Sequence, residues 1–154
     1  MIVDLNQVPQ KTGTGYPQPF RDRIKGRIKQ KVGDAIGLKN FGVNWVVLEP
    51  GGASALRHWH EQQDEFVYVV AGEVTLITNE GETLMTAGMM AGFPAGESNG
   101  HHLVNRGTQP ATYLEIGDRT TPEKAHYPDD DLQAISENGT WEFRHKTGEK
   151  YEKL

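Results

Sequence analysis

The side chains best suited to chemistry lie together in residues 52–65 of the 154-residue chain. His58 and His60 are separated by one residue, and Glu65 follows five positions after His60. On a β-strand, alternate side chains point to the same face, so the two imidazoles would lie side by side. Two imidazole nitrogens and a carboxylate oxygen suit a divalent first-row metal ion. Taken alone, however, an H-x-H pair is also common on protein surfaces.

The composition limits the kind of site that could form. The sequence has no cysteine, which excludes disulfide scaffolds, thiol nucleophiles, zinc fingers and iron–sulfur clusters. Any metal must therefore be bound by histidine and carboxylate side chains. The net charge of −5 argues against a nucleic-acid-binding protein, which would usually have a basic face. No signal peptide and no apolar run of about 20 residues is visible, so we expect a cytoplasmic protein without a membrane segment.

Six basic residues occupy every second position between residues 21 and 31. They are Arg21, Arg23, Lys25, Arg27, Lys29 and Lys31. If the segment is extended, all six share one face. We interpret it as a solvated edge strand, because lysines at a sheet edge discourage aggregation. The alternative is an anion-binding site, which fits less well with the acidic remainder of the chain.

The elements that must position these residues are predicted to be short strands. The 18 glycines and 8 prolines lie between short β-rich runs, a pattern typical of an all-β sandwich or barrel. Strands are predicted at 2–5, 42–48, 54–60, 66–70, 74–78, 82–86, 89–93, 101–105, 111–116 and 141–145, with one helical turn near 131–135. We divide the chain into an N-terminal arm with edge strands (1–40), a barrel core (41–117) and a polar C-terminal extension packed on the barrel (118–154).

Two longer motifs resemble the signatures of the cupin family. The first runs from Gly52 to Gly72 and reads G, five residues, H-x-H, four residues, E, six residues, G. The second begins at Gly88, places Pro94-Ala95-Gly96 after five residues, and ends at Asn105. In both motifs the glycines at positions 72 and 88 are explained as turn residues that permit positive φ. The resemblance covers roughly residues 40–117.

The second motif departs from the family pattern at its histidine. The pattern places a histidine at position 99, which is Asn99 here, and the sequence has His101 and His102 instead. His101 still stands four residues before Asn105, so a two-residue insertion in the preceding loop is the simplest account. That spacing favours His101 as the family's histidine. On a strand, His102 would face the opposite side from His101. Three roles remain open for it: the alternative metal ligand, a residue that contacts a ligand, or a surface residue.

The resemblance implies an all-β double-stranded β-helix, or jelly-roll cupin barrel, with an N-terminal arm and an irregular C-terminal extension. It implies one divalent transition metal per subunit, bound by His58, His60, Glu65 and His101. Three imidazoles and one carboxylate suit Fe, Mn, Ni, Co or Zn without choosing among them. Cupins of this size commonly form homodimers, and the Pro-rich arm is compatible with that.

The resemblance also implies a metal-dependent enzyme acting on a small organic molecule. The predicted inward face carries Val67, Val69 and Leu103, and Arg57 and Arg106 fall out of phase with it. Because a sugar-phosphate site needs inward cations, we favour dioxygenase-like or carbonyl-directed chemistry. Sugar or sugar-phosphate isomerisation and a non-catalytic small-molecule binding module are the alternatives. The candidate acid–base groups are Tyr68, Tyr113 and Glu115.

Overall fold

The computed structural model of the chain describes residues 1–152, and short antiparallel strands make up most of its regular structure. The strands are β1 (Gln10–Lys11), β2 (Arg27–Gln30), β3 (Phe41–Leu48), β4 (Trp59–His60), β5 (Glu65–Ala71), β6 (Glu73–Thr78), β7 (Gly81–Thr86), β8 (Met90–Phe93), β9 (His102–Val104), β10 (Ala111–Asp118), β11 (Glu123–His126), β12 (Gln133–Ser136) and β13 (Trp141–Arg144). A 3-10 turn spans Leu5–Gln7, and two short helices span Gln18–Arg21 (α1) and Val32–Ala35 (α2). The all-β prediction is confirmed. Within residues 1–152, no helix has the length and hydrophobicity needed to cross a membrane.

Two sheets form the barrel. One has six strands in the order β1-β2-β3-β10-β5-β8, and the other has three in the order β7-β6-β9. Alternate residues of their strands point inward and form an apolar core. Its buried members are Val46, Leu48, Val67, Val69, Val74, Met85, Leu103, Ala111 and Tyr113. Gly72 joins β5 to β6 with φ of 74°, and a Cβ there would lie 2.7 Å from the Pro110 carbonyl oxygen. Only glycine fits that turn.

The C-terminal extension is more regular than the sequence predicts. Strands β11, β12 and β13 form a third sheet with β4, in the order β13-β12-β11-β4. The predicted helical turn at 131–135 is wrong, because Gln133–Ser136 is a strand paired on both sides. The predicted strand at 141–145 is confirmed as β13. The last two residues of the predicted extension lie outside the described part of the chain.

The N-terminal segment packs on this third sheet. Tyr16, Phe20 and Ile24 are buried in a second apolar cluster together with Leu56 and Tyr127. The predicted strand at 2–5 is wrong, because residues 5–7 form a 3-10 turn. The segment from Tyr16 to Ile24 and the third sheet therefore pack together on one side of the barrel.

The basic run does not form a single edge strand. Arg21 ends helix α1, and only residues 27–30 form a strand, β2, which lies between β1 and β3 in the six-stranded sheet. Gly26, with φ of 68°, separates the helical part from the strand. The prediction of a solvated edge strand is wrong, since β2 is half-buried and β1 forms the edge.

Candidate metal centre

Three imidazoles converge on the carboxylate of Glu65, the first residue of β5. The His101 Nε2 lies 2.5 Å from Glu65 Oε2, and the His60 Nε2 lies 3.2 Å from Glu65 Oε1. The His58 Nε2 is 3.6 Å from Glu65 Oε2. The structure thus brings together all four residues that the cupin resemblance names as metal ligands.

A backbone bridge places two of these imidazoles side by side. His58 and His101 form an isolated antiparallel bridge in which each backbone N–H donates to the other's carbonyl, at 3.2 and 2.9 Å. Directly opposed residues of an antiparallel pair project to the same face. The predicted strand at 54–60 is much shorter, with only β4 at Trp59–His60. The bridge, and not a longer strand, therefore positions the imidazoles of His58 and His101.

Further contacts fix the rings of His58 and His101. The Nδ1 of His58 lies 2.8 Å from the Leu56 carbonyl oxygen. If Nδ1 carries the proton and donates to that carbonyl, the Nε2 lone pair remains free. The ring of Phe93 stacks on His101, with centroids 3.6 Å apart and planes within 3°. Phe93 is therefore a packing residue of the site.

This geometry fits a divalent metal ion. One ligand atom from each of His58, His60 and Glu65 lies within 4.8 Å of the others, and the His101 nitrogen contacts the same carboxylate. The Nδ1 atoms of His60 and His101 are buried without a hydrogen-bond partner in residues 1–152. Three nitrogen donors and one carboxylate oxygen suit a first-row divalent ion.

The carboxylate and the imidazoles shift each other's protonation. Burial raises the pKa of Glu65, but the charge of His58 and hydrogen bonds from three imidazoles lower it well below its usual value. Burial lowers the pKa of His58, and Glu65 outweighs this and leaves it raised. Burial dominates at His101 and lowers its pKa. Glu65 is therefore ionised, and His101 favours the neutral form that metal binding requires.

The side chains of His102 and Tyr68 lie outside this cluster, although His102 lines a cavity beside it. The Nδ1 of His102 lies 2.9 Å from the Ala55 carbonyl oxygen, on the side of β9 opposite to Leu103. Tyr68 pairs with Leu114 and Met90 on the outer face of the six-stranded sheet. The structure separates His102 from Glu65 and removes Tyr68 from the candidate acid–base groups.

A cavity of about 720 Å³ opens above the cluster. Its walls include the four residues of the cluster, which are His58, His60, Glu65 and His101, and the apolar side chains of Val67 and Leu103. Tyr113 and Glu115, which the sequence analysis named as acid–base groups, also line it. This volume is typical of sites for small organic molecules.

One wall of the cavity is basic. It contains Lys11, Arg27, Lys29 and Lys31 from β1, β2 and the residue after β2. Arg57 and Arg106 do lie outside, as predicted: Arg57 bonds Asp129, and Arg106 pairs with Glu82. The cavity nevertheless contains cations, because the basic run that we interpreted as a solvated edge strand contributes to its lining. Strand β2 turns Arg27 and Lys29 inward.

Contacts hold two of these cations in place. Arg27 donates to the Ser54 carbonyl oxygen at 2.6 Å and to the Gly13 carbonyl oxygen at 3.0 Å. The Lys29 ammonium donates to Glu115 Oε1 at 3.0 Å. Lys11 and Lys31 are exposed and have no ion-pair partner in the described part of the chain. The wall thus carries positive charge that Glu115 offsets only in part.

The third sheet adds residues that the sequence analysis did not identify. Glu123 on β11 is buried, and its Oε2 lies 3.6 Å from the otherwise unpartnered His60 Nδ1. Tyr127 and Trp141 line the cavity, and the Tyr127 ring centroid is 5.7 Å from that of His58. No motif marks these residues, since the pairing of β11 with β4 spans more than 60 positions.

Comparisons with known proteins agree with this arrangement. The profile of the cupin domain family matches residues 44–117, and no curated protein matches the chain. A crystal structure described as a sugar phosphate isomerase from a cupin superfamily, from Silicibacter pomeroyi, is 43% identical with a TM-score of 0.94; the match covers 97% of this chain and 96% of that chain.

Two further structures are less similar. A protein from Acidithiobacillus ferrooxidans, provisionally named a sugar phosphate isomerase, is 29% identical with a TM-score of 0.74, over 83% of this chain and 81% of that one. A polyketide cyclase from Streptomyces resistomycificus is 20% identical with a TM-score of 0.65, over 80% and 82% of the two chains. The latter likeness concerns the fold alone.

Proposed function

Since this chain belongs to the cupin superfamily, we propose that it is a metal-dependent isomerase of phosphorylated sugars. The observation that carries the proposal is the basic wall formed by Lys11, Arg27, Lys29 and Lys31 in the same cavity as the histidine cluster. A phosphate group binds such cations through charge-assisted hydrogen bonds. The name of the 43% identical protein from Silicibacter pomeroyi supports the same reaction class.

The basic wall stands out against the rest of the molecule. The chain has a net charge of −5, so a cluster of cations beside a cavity favours an anionic ligand. The apolar wall of Val67 and Leu103, which led the sequence analysis toward oxygen-dependent chemistry, occupies a different part of the lining. An isomerase of phosphosugars uses both the cluster and the cations, whereas a dioxygenase leaves the cations without a role.

We propose His58, His60, Glu65 and His101 as the ligands of one Fe, Mn, Ni, Co or Zn ion per subunit. When bound, such an ion supplies Lewis-acid polarisation of a substrate carbonyl or hydroxyl oxygen. The chain itself binds the phosphate at the basic wall and orients the sugar between the two. Tyr127 and Trp141 of the third sheet line the same cavity.

The proposal is tested with purified protein loaded separately with each metal. Ribose 5-phosphate, glucose 6-phosphate and mannose 6-phosphate are compared with the corresponding free sugars, and ketose formation is followed by NMR. We expect kcat/KM for a phosphorylated sugar to exceed that for its free sugar by about 10- to 100-fold, the value of one hydrogen bond to a charged group.

Variants identify the role of the basic wall. The double variant Lys11→Gln/Lys31→Gln is expected to raise KM for the phosphosugar while kcat stays nearly unchanged. The reason is that the two lysines would bind the phosphate equally well in the ground state and in the transition state. Lys39→Gln, which changes an exposed lysine outside the cavity, is the matched control.

Two outcomes would contradict the proposed isomerase. Tight phosphosugar binding without turnover would indicate a binding module. Oxygen uptake with catechols or diketones would instead indicate a dioxygenase.

A further inference from the structure

Glu115 is the acidic side chain placed best to act on a substrate beside the histidine cluster. It lies on β10 and faces the cavity. In the register of β5 and β10, Glu65 opposes Gly117 and Val67 opposes Glu115. Glu115 is therefore the diagonal neighbour of Glu65, about 7 Å away. Both carboxylates line the same cavity.

One oxygen of Glu115 is held and the other is available. Glu115 Oε1 accepts hydrogen bonds from the Lys29 ammonium at 3.0 Å and the Asn44 amide at 2.9 Å. Within residues 1–152, Oε2 accepts no hydrogen bond. The side chain is 28% exposed, so a ligand can reach the free oxygen. The carboxylate is oriented by neighbours on β2 and β3 while one oxygen remains ready to take a proton.

Three other groups of the cavity, Asp118, Tyr113 and Glu65, are unsuited to this role. Both oxygens of Asp118 accept backbone hydrogen bonds, from Asp64 at 2.7 Å and Thr120 at 2.9 Å. Tyr113 is fully buried, and burial raises its pKa well above the usual value, so the phenol is not a base. Glu65 is occupied by three imidazoles.

We propose that Glu115 is the catalytic base that carries a proton between the two reacting carbons, an inference that rests on the proposed isomerase function. Glu115 Oε2 takes the proton from C2 of the open-chain aldose phosphate. The C–H electron pair forms a C1=C2 double bond, and the C1 carbonyl oxygen becomes a hydroxyl by taking up a proton. Glu115 then returns its proton to C1 while the C2 hydroxyl loses its own and becomes the ketone. One proton moves between carbons and one between oxygens, so the step needs no oxidant or reductant.

The surroundings of Glu115 match this cycle. Burial raises the pKa of Glu115, but the charge of Lys29 and the Asn44 hydrogen bond lower it overall, so the empty site holds an ionised carboxylate. A bound phosphate offsets the charge of Lys29, and the sugar displaces water from the cavity. Both changes raise the pKa of the carboxylate. Substrate binding thus makes Glu115 a stronger base at the moment it is needed.

The test compares wild-type protein, Glu115→Gln and the control Glu73→Gln, an exposed residue at the start of β6, in D₂O with the three aldose phosphates. In the wild type, deuterium is expected at the reacting carbon of the product or of recovered substrate. Glu115→Gln is expected to lose about 10²- to 10⁴-fold in kcat and all deuterium exchange, because glutamine cannot take the proton. Glutamine still accepts hydrogen bonds from Lys29 and Asn44, so the variant should fold and its metal content should match the wild type.

Each outcome separates this inference from the proposed function. If the wild type isomerises a phosphosugar while Glu115→Gln keeps its rate, Glu115 is not the base but the isomerase proposal stands. A fall in metal content of Glu115→Gln would show a role at the metal centre and would also overturn the inference. If the wild type isomerises none of the sugars, the proposed function fails and the inference fails with it.

Discussion

At the scale of single residues, Glu65 organises the candidate centre. Its two oxygens meet three imidazole nitrogens within 3.6 Å, and its ionised state compensates the charge that the site would hold. His58 and His60 could be predicted as a pair because they are neighbours in sequence and on one face. The role of His101 depended on a family spacing, since its contact with Glu65 spans 36 positions.

The two adjacent histidines provide a direct prediction. We expect His101→Ala to weaken metal affinity by about 100-fold or more, beyond the 10- to 100-fold typical of outer partners, because it removes a nitrogen donor. His102→Ala should leave the affinity nearly unchanged, because that ring contacts the Ala55 carbonyl instead. Competition with a chelating dye for Co²⁺ or Zn²⁺ measures both constants. Equal losses in the two variants would contradict this assignment.

A second prediction concerns the ionisation of Glu115. Its pKa is lowered in the folded protein, so its stabilising effect is present above the unfolded value of 4.5 and is lost as pH falls through the folded value. The difference in melting temperature between the wild type and Glu115→Gln should therefore stay constant between about pH 7 and pH 5 and shrink at lower pH. A difference that grows on acidification would show the opposite sign of shift.

At the scale of elements, the third sheet completes the site. Strand β11 pairs with β4 and thereby places Glu123 behind His60. The sequence indicated only a polar extension here, because Glu123–His126 contains a single apolar residue and becomes a strand through its partners. The orientation of the basic run could not be predicted for a similar reason. The pairing of β2 with β3 determines which of its lysines face the cavity, and the alternation of basic residues in the sequence does not reveal that pairing.

Glu123 provides the prediction for this element. We expect Glu123→Gln to reduce metal affinity by about tenfold, because a carboxylate behind a ligating histidine orients the ring and raises its basicity. Glu137→Gln, an exposed residue after β12, is the matched control. Isothermal titration with Zn²⁺ measures the change, and circular dichroism checks that both variants fold. An unchanged affinity in Glu123→Gln would show that Glu123 has no role at the metal centre.

At the scale of the whole molecule, the six-stranded sheet has an apolar outer face. Two cross-strand rows form it: Trp45, Leu114, Tyr68 and Met90 in one, and Val43, Ile116, Phe66 and Gly92 in the other. Phe66 is 39% exposed and Met90 is 60% exposed. Exposed apolar surface of this kind typically marks a protein–protein interface. We therefore propose this face as the interface of the homodimer that the sequence analysis expects.

The dimer is predicted to assemble through this face. Wild-type protein should sediment at twice the chain mass of 17.1 kDa at micromolar concentration, and Phe66→Lys/Met90→Lys should shift it to the monomer, because a lysine pair cannot be buried without cost. Leu84→Lys, on the exposed side of β7, is the control and should stay dimeric. A monomeric wild type, or equal dissociation in both variants, would contradict the assignment.

The bridge between His58 and His101 has a consequence for engineering. The backbone of His58, and not the loop at 94–100, fixes the position of His101. Residues 97 and 98 of that loop are exposed, so added peptide between them need not displace the histidine. This position is therefore an insertion point near the histidine cluster, where a binding loop or a fluorescent reporter could be grafted while the imidazoles keep their arrangement.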